Sequence, residues 1–167
     1  MKKLLFSAFL LALSVSVFAQ YGDDDKAFHF GVGGGISLPL SDLKESMDYG
    51  VGVNVQASYK FTDFIEGFVQ TGVHVFKSAY DDYYGDAANA LHIPIMAGAR
   101  INASGFLAGA GIGYGLYTVS GSTTSGFLYS PHVGYDFGSF EAQLTYTGVS
   151  ASGASLPYVG LRAFYKF

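Results

Sequence analysis

"YGVGVNVQASYKF" occupies residues 49–61, and its polarity changes at every step. Tyr49, Val51, Val53, Val55, Ala57, Tyr59 and Phe61 fall on one side; Gly50, Gly52, Asn54, Gln56, Ser58 and Lys60 fall on the other. A helix would scatter both sets around its circumference, whereas a strand sends successive side chains to opposite faces. Thirteen residues of alternation exceed the roughly five or six of an ordinary soluble strand.

The pattern recurs near 27–38, 66–77, 90–101, 106–117, 128–137, 140–149 and 157–167, which makes eight predicted strands. In the second, Val69, Thr71, Val73 and Val75 alternate with Phe68, Gln70, Gly72, His74 and Phe76. In the last, Val159, Leu161, Ala163, Tyr165 and Phe167 alternate with Tyr158, Gly160, Arg162, Phe164 and Lys166. The connections at 62–63, 102–105 and 138–139 read as tight turns of Gly, Asn, Asp and Ser. Those at 39–48, 78–89, 118–127 and 150–156 read as longer polar loops. Short turns at one end and long loops at the other, on an even number of antiparallel strands, predict an all-β, eight-stranded up-and-down transmembrane β-barrel.

The first residues stand apart. Lys2 and Lys3 precede an apolar run over 4–18, and Ala19 offers a small residue at a cut. This reads as a signal peptide over 1–19 rather than an anchor, since a spanning helix needs about 20 apolar residues. Residues 20–26 then form a short periplasmic tail, and 27–167 the barrel. Without Lys2 and Lys3 the chain keeps seven basic against thirteen acidic residues, a net charge near −6. That balance argues against nucleic acid as a partner, because phosphate binding needs a basic surface. There is no cysteine, hence no disulfide and no thiolate metal site. Half of the residues are hydrophobic and 23 are glycine. Beyond the signal no long apolar run occurs, so the apolar residues are interleaved with small and polar ones.

A soluble eight-stranded carrier also alternates, but with large apolar groups inside. Here the less apolar face carries Gly, Ser, Thr, Asn, Gln and His, which suit a lumen only wide enough for side chains. The apolar face carries no charge at the strand centres, where a basic group in hydrocarbon would cost about 2–4 kcal/mol. The apolar face is therefore expected outside. Counting strands up and down gathers Phe28, Phe30, Tyr59, Phe61, Phe106, Tyr135, Phe137 and Phe140, with Tyr165 and Phe167, into an aromatic girdle at the periplasmic rim. The same count brings Lys60, Glu66, Arg100, Asp136, Glu141, Arg162 and Lys166 to the lower lumen. They are expected to pair in a network that, with Phe68, Met96, Leu107 and Phe164, plugs the barrel, because a lone buried charge is expensive.

"YVGLRAFYKF" (158–167) resembles the closing strand of bacterial outer-membrane barrels, apolar at every second position and ending in an aromatic. The resemblance implies that Val159, Leu161, Ala163, Tyr165 and Phe167 are read by the barrel assembly machinery. "NALHIPIMAGARI" (89–101) and "FLAGAGIGYGL" (106–116) are similar to the fourth and fifth strands of the outer membrane protein beta-barrel domain family of Bacteroidota, with small barrels of the OmpX and OmpA type alike in design. That resemblance implies the outer membrane of a Gram-negative bacterium, with termini periplasmic and long loops extracellular. It also implies contact with lipid and lipopolysaccharide, and a monomer.

No catalytic constellation stands out. "GVGGG" (31–35) and "GAGIGYG" (109–115) suggest phosphate loops, yet glycine at every second position is strand periodicity and no helix follows. His29, His74, His92 and His132 all lie on the inward register and read as interior hydrogen-bonding groups; a metal would need convergent ligands. Asp81, Asp82 and Asp86 lack the spacing of a calcium loop. No histidine faces lipid, as a lipid A-modifying barrel would require. The reading is a non-enzymatic structural or surface-interaction barrel without cofactor or metal, with a narrow solute channel as the alternative.

Overall fold

The structure, a computed structural model, describes residues 28–79, 89–151 and 154–167. The expected signal segment, the tail over 20–26 and the cluster Asp81, Asp82 and Asp86 lie outside the described residues. Nine strands run through the described residues: β1 (Phe28–Pro39), β2 (Met47–Lys60), β3 (Ile65–Ser78), β4 (Ala90–Ala103), β5 (Phe106–Val119), β6 (Ser122–Asp136), β7 (Phe140–Ala151), β8 (Ala154–Ser155) and β9 (Tyr158–Lys166). A five-residue helix, α1 (Asp42–Ser46), lies between β1 and β2. β8 pairs with the end of β7 and β9 with the rest of it, so the two segments form one stave broken at Pro157.

Every neighbouring pair is antiparallel, and the order β6-β5-β4-β3-β2-β1-β9-β7 closes through a β6–β7 pairing. The result is a closed eight-stave up-and-down barrel without a free edge along its wall. The last strand closes the ring by lying between β1 and β7, where Gly35↔Arg162 and Gln143↔Arg162 are cross-strand partners. The backbone amide of Phe167 donates to the carbonyl of Phe30 at 2.8 Å.

Apolar groups are outside, as the alternation predicts. Val51, Val53, Val73 and Ile95 are 50%, 64%, 42% and 54% exposed, while Gln56, Gln70 and Gln143 are buried. These valines do not converge on a dry centre, so the soluble-carrier alternative fails. The aromatic residues at the rim bearing both described termini touch edge to face: Phe28 with Phe30 at 4.7 Å, Tyr59 with Phe61 at 5.2 Å, Phe106 with Tyr135 at 5.0 Å.

Two expectations change. Residues 118–127 are not a long loop. β5 and β6 stay paired out to Val119↔Ser122, joined by Ser120 (φ 49°) and Gly121 (φ 82°). Two consecutive residues with positive φ make the tight turn whose twist suits a hairpin, and Ser104 (φ 52°) with Gly105 (φ 91°) repeats it at the other end. The Ser/Thr-rich segment lacks an apolar face, so alternation vanishes from the sequence while the hydrogen-bonded ladder continues. Likewise the loops around 39–48 and 150–156 are shorter than expected, because β2 begins at Met47 and β7 runs to Ala151.

Prolines interrupt the wall twice. Pairing of β3 with β4 lapses between Thr71↔Ile95 and His74↔His92, and that of β6 with β7 between Tyr129↔Gly148 and His132↔Thr145. Pro94 and Pro131 lie in these gaps and bring no N–H. Side chains bridge both seams: the Thr71 hydroxyl donates to the Pro94 carbonyl at 2.8 Å, and Ser130 and Thr147 hydroxyls lie 2.9 Å apart.

Candidate functional site

The interior is filled in three layers. Nearest the terminal rim is a charged layer. β4 presents Arg100 opposite Gly109 of β5, where a Cβ would come within 2.4 Å of the Cβ of Arg100; the glycine leaves room for the guanidinium stem. Arg100 Nε donates to Glu66 Oε2 at 2.6 Å, on the neighbouring strand. Its Nη1 and Nη2 donate to Glu141 Oε1 and Oε2 at 2.6 and 3.0 Å, a bidentate pair reaching across the lumen. All three residues are almost wholly buried. Lys166 Nζ reaches Asp136 Oδ2 at 2.5 Å and stands 4.0 Å from Glu141 Oε2. Asn102 Nδ2 also donates to Asp136, at 3.2 Å.

Two residues expected in this network stand outside it. Lys60 is exposed and enters no ion pair among the described residues. Arg162 is 1% exposed, yet no carboxylate among the described residues contacts it. Its Nη2 donates to the Thr147 hydroxyl at 3.5 Å, while Nε and Nη1 have no partner. Arg162 shares a height with Gly35 and Gln143, one inward step away from Glu141 along the wall, and Arg100 already occupies that carboxylate.

The middle layer is amide-rich. Gln143 Nε2 donates to Glu141 Oε1 at 2.5 Å and to Gln56 Oε1 at 3.4 Å. Asn54 Oδ1 accepts from Gln70 Nε2 at 3.4 Å and lies 2.9 Å from His74 Nε2. Phe68, Met96, Leu107 and Phe164 are buried here and in the charged layer, at the positions the inward register gave them. Phe68 meets His132 edge to face at 5.3 Å, and its ring lies 5.9 Å from the Arg100 guanidinium carbon.

The layer farthest from the termini is an apolar cap. Leu43 of α1 and Met47 pack with Phe76, Tyr117, Leu128, Val149 and Tyr158. His92 stacks on Tyr117 at 4.1 Å with an 11° interplanar angle, and Phe76 meets Tyr158 at 5.4 Å. Sequence reading placed Phe76 and Tyr158 inward without assigning them this role. The signal was available: large apolar residues interrupt the small inward series near the loop end of β3, β5, β6, β7 and β9.

His74, His92 and His132 are buried in the upper and middle lumen, and His29 is half-buried at the terminal rim. Among the described residues no three His, Asp or Glu side chains are placed to hold a metal ion. Among the described residues no inward hydroxyl, imidazole and carboxylate line up as nucleophile, base and orienter.

A closed barrel of antiparallel staves with polar contents and an apolar outer wall that carries no charge at its strand centres defines an outer-membrane-type transmembrane β-barrel. The comparisons agree with that class. The chain belongs to the outer membrane protein beta-barrel domain family, which it matches over residues 5–158, and its location is the bacterial outer membrane. No curated protein matches it. Among solved structures it is similar to the N-terminal β-barrel domain of Pseudomonas aeruginosa OprF, with a TM-score of 0.61 at 11% identity, covering 83% of this chain and 97% of that one. It is also similar to Ail, the attachment invasion locus protein of Yersinia pestis, with a TM-score of 0.53 at 15% identity over 84% and 97% of the two chains. Neisserial surface protein A gives a TM-score of 0.54 at 15% identity over 85% and 98%. At such identities the likeness concerns the fold.

Proposed function

We propose that the protein is a non-conducting outer-membrane barrel that acts through its outer wall and its loop-bearing rim, as a structural or surface-interaction protein rather than an enzyme. The observation that carries this reading is the filling of the lumen at two separate heights, by the Glu66–Arg100–Glu141 lattice and by the apolar cap. Water and solutes meet a bidentate ion pair in one layer and packed rings in another.

In this reading the aromatic rim lies at the periplasmic interface, the termini are periplasmic and the loop-bearing rim is extracellular. Val159, Leu161, Ala163, Tyr165 and Phe167 serve the assembly machinery before they face lipid. The monomeric wall meets phospholipid on one leaflet and lipopolysaccharide on the other. The test is electrical. Purified protein reconstituted in planar bilayers at neutral pH is expected to give no stable unitary currents. Reproducible conductance steps would support a narrow solute channel instead.

A further inference from the structure

The apolar cap holds an arrangement that a sealed plug does not need. His74 and His92 are cross-strand partners on β3 and β4, with ring centroids 5.9 Å apart and no exposed surface on either. Each uses one ring nitrogen. His74 Nε2 meets Asn54 Oδ1 at 2.9 Å, and His92 Nδ1 meets the Tyr158 hydroxyl at 3.4 Å. The other nitrogens, His74 Nδ1 and His92 Nε2, are sealed without a partner. They face the wall at Gly52 and Gly115, where an added Cβ would come within 2.6 and 2.9 Å of them.

The neutral rings fit this place in the tautomer whose partnered nitrogen carries the proton and donates, so that the other stays a lone pair. A protonated ring carries two N–H donors, and its second would point at glycine backbone with nothing to accept it. The charge would be uncompensated as well. The titratable and charged groups around the pair are Tyr117 of β5 and Tyr158 and Arg162 of β9. β1 brings only Gly35 and Ser37 to this height, β6 and β7 bring Ser130 and Thr147, and among the described residues no carboxylate contacts either ring. Among the described residues the guanidinium of Arg162 is already a buried cation without a contacting counter-charge. Placing a second or third positive charge beside it in a dry cavity is strongly unfavourable.

α1 is tied to the end of β3 by the Ala79 amide, which donates to the Ser46 carbonyl at 3.0 Å. It is a single turn whose purchase on the barrel interior is Leu43, with Met47 following at the start of β2. We propose that this mouth of the barrel is an acid-operated lid: protonation of His74 and His92 drives the cap from packed to hydrated, and the α1 segment lifts from it.

The direction follows from proton counting. The closed form admits only neutral imidazoles, whereas hydrated ones titrate near the ordinary histidine value of about 6.5. The lifted form therefore binds more protons, and its share grows as pH falls below that value. Linkage makes the open-to-closed ratio rise about tenfold per pH unit for each histidine. Two histidines over two pH units give roughly 10⁴-fold, which is what carries a two-state equilibrium from about 1:99 to 99:1.

The protein has no cysteine, so Lys44→Cys, at the exposed face of α1, takes a single environment-sensitive fluorophore. The labelled protein in lipid vesicles is expected to show a reversible emission change between pH 7.5 and 4.5. The change should be lost in a His74→Gln, His92→Gln double variant. If that variant does not give the heat-modifiable gel shift of a folded barrel, His92→Gln alone serves, with the pH slope reduced to about tenfold per unit. No change in the parent protein overturns the proposal, and so does an undiminished change in the folded variants, which would assign the response to carboxylates. Neither outcome bears on conductance at neutral pH, so the sealed-barrel reading stands or falls separately.

Discussion

Val53→Arg measures whether the wall is immersed in hydrocarbon. On β2, Tyr49 and Tyr59 both face outward and lie ten residues apart. With a rise of about 3.3 Å per residue and a tilt of roughly 40°, they are about 25 Å apart in height, the height of the apolar band of such barrels. Val53 lies near the middle of that span, paired with Gly34 and Val73 and 64% exposed. Arginine there should cost about 2–4 kcal/mol, roughly a 30- to 900-fold loss in the folding equilibrium. Ala57 is four residues nearer the aromatic rim, about 10 Å lower by the same geometry. Ala57→Arg should cost about 0–1 kcal/mol, because the guanidinium reaches the interface. Reversible urea unfolding in lipid vesicles, read by tyrosine fluorescence and by gel mobility before and after boiling, gives both numbers. Equal costs, or a larger cost at Ala57, would refute the placement of the membrane around this wall.

Four further outcomes are expected. Glu141→Gln removes half of the bidentate contact and leaves Arg100 as a buried cation with one carboxylate; urea unfolding should show a loss of about 3–5 kcal/mol, and adding Arg100→Met should not restore it, since Glu66 then becomes a buried carboxylate without its partner. Gly113→Ala places a Cβ 2.0 Å from the Ile95 carbonyl, whereas Gly34→Ala meets only the Gly52 carbonyl at 3.5 Å; the first should lose about 1–3 kcal/mol in the same assay and the second much less. Gly121→Val forces a branched residue into a left-handed turn at a cost of about 1–2 kcal/mol, visible as faster hydrogen exchange at the tip of the β5–β6 hairpin with the wall unchanged. Deleting Phe167 should slow insertion in cells while leaving unassisted folding into detergent nearly intact, which separates an assembly signal from a stability contribution; equal effects on both would remove the signalling role.

The ion network shows how far one-dimensional reasoning reaches. Inward parity assigned Glu66, Arg100, Asp136, Glu141 and Lys166 to one side of the wall, where their side chains meet, because parity along a strand is local. It did not reveal that Lys60 stops at the rim or that Arg162 sits one step away from an already occupied carboxylate. Those facts depend on the stagger between neighbouring strands, which accumulates around the ring and sets which inward residues share a height. Arg100 and Glu141 are 41 residues apart in sequence, and Gln56 and Gln143 are 87 apart. Nothing within either strand encodes that they meet.

The sequence by itself determined the strands, their two faces and the choice of lipid over water as surroundings. Each follows from the period of two and from which alternate set is apolar, and both are properties of consecutive residues. The closure of the ring, the layered filling of the lumen and the seat of His74, His92 and Arg162 beneath an apolar cap were decided only by the tertiary structure. A lumen has its composition written along the staves, but its contacts run across them, and these are set by tilt and register when the last strand meets the first.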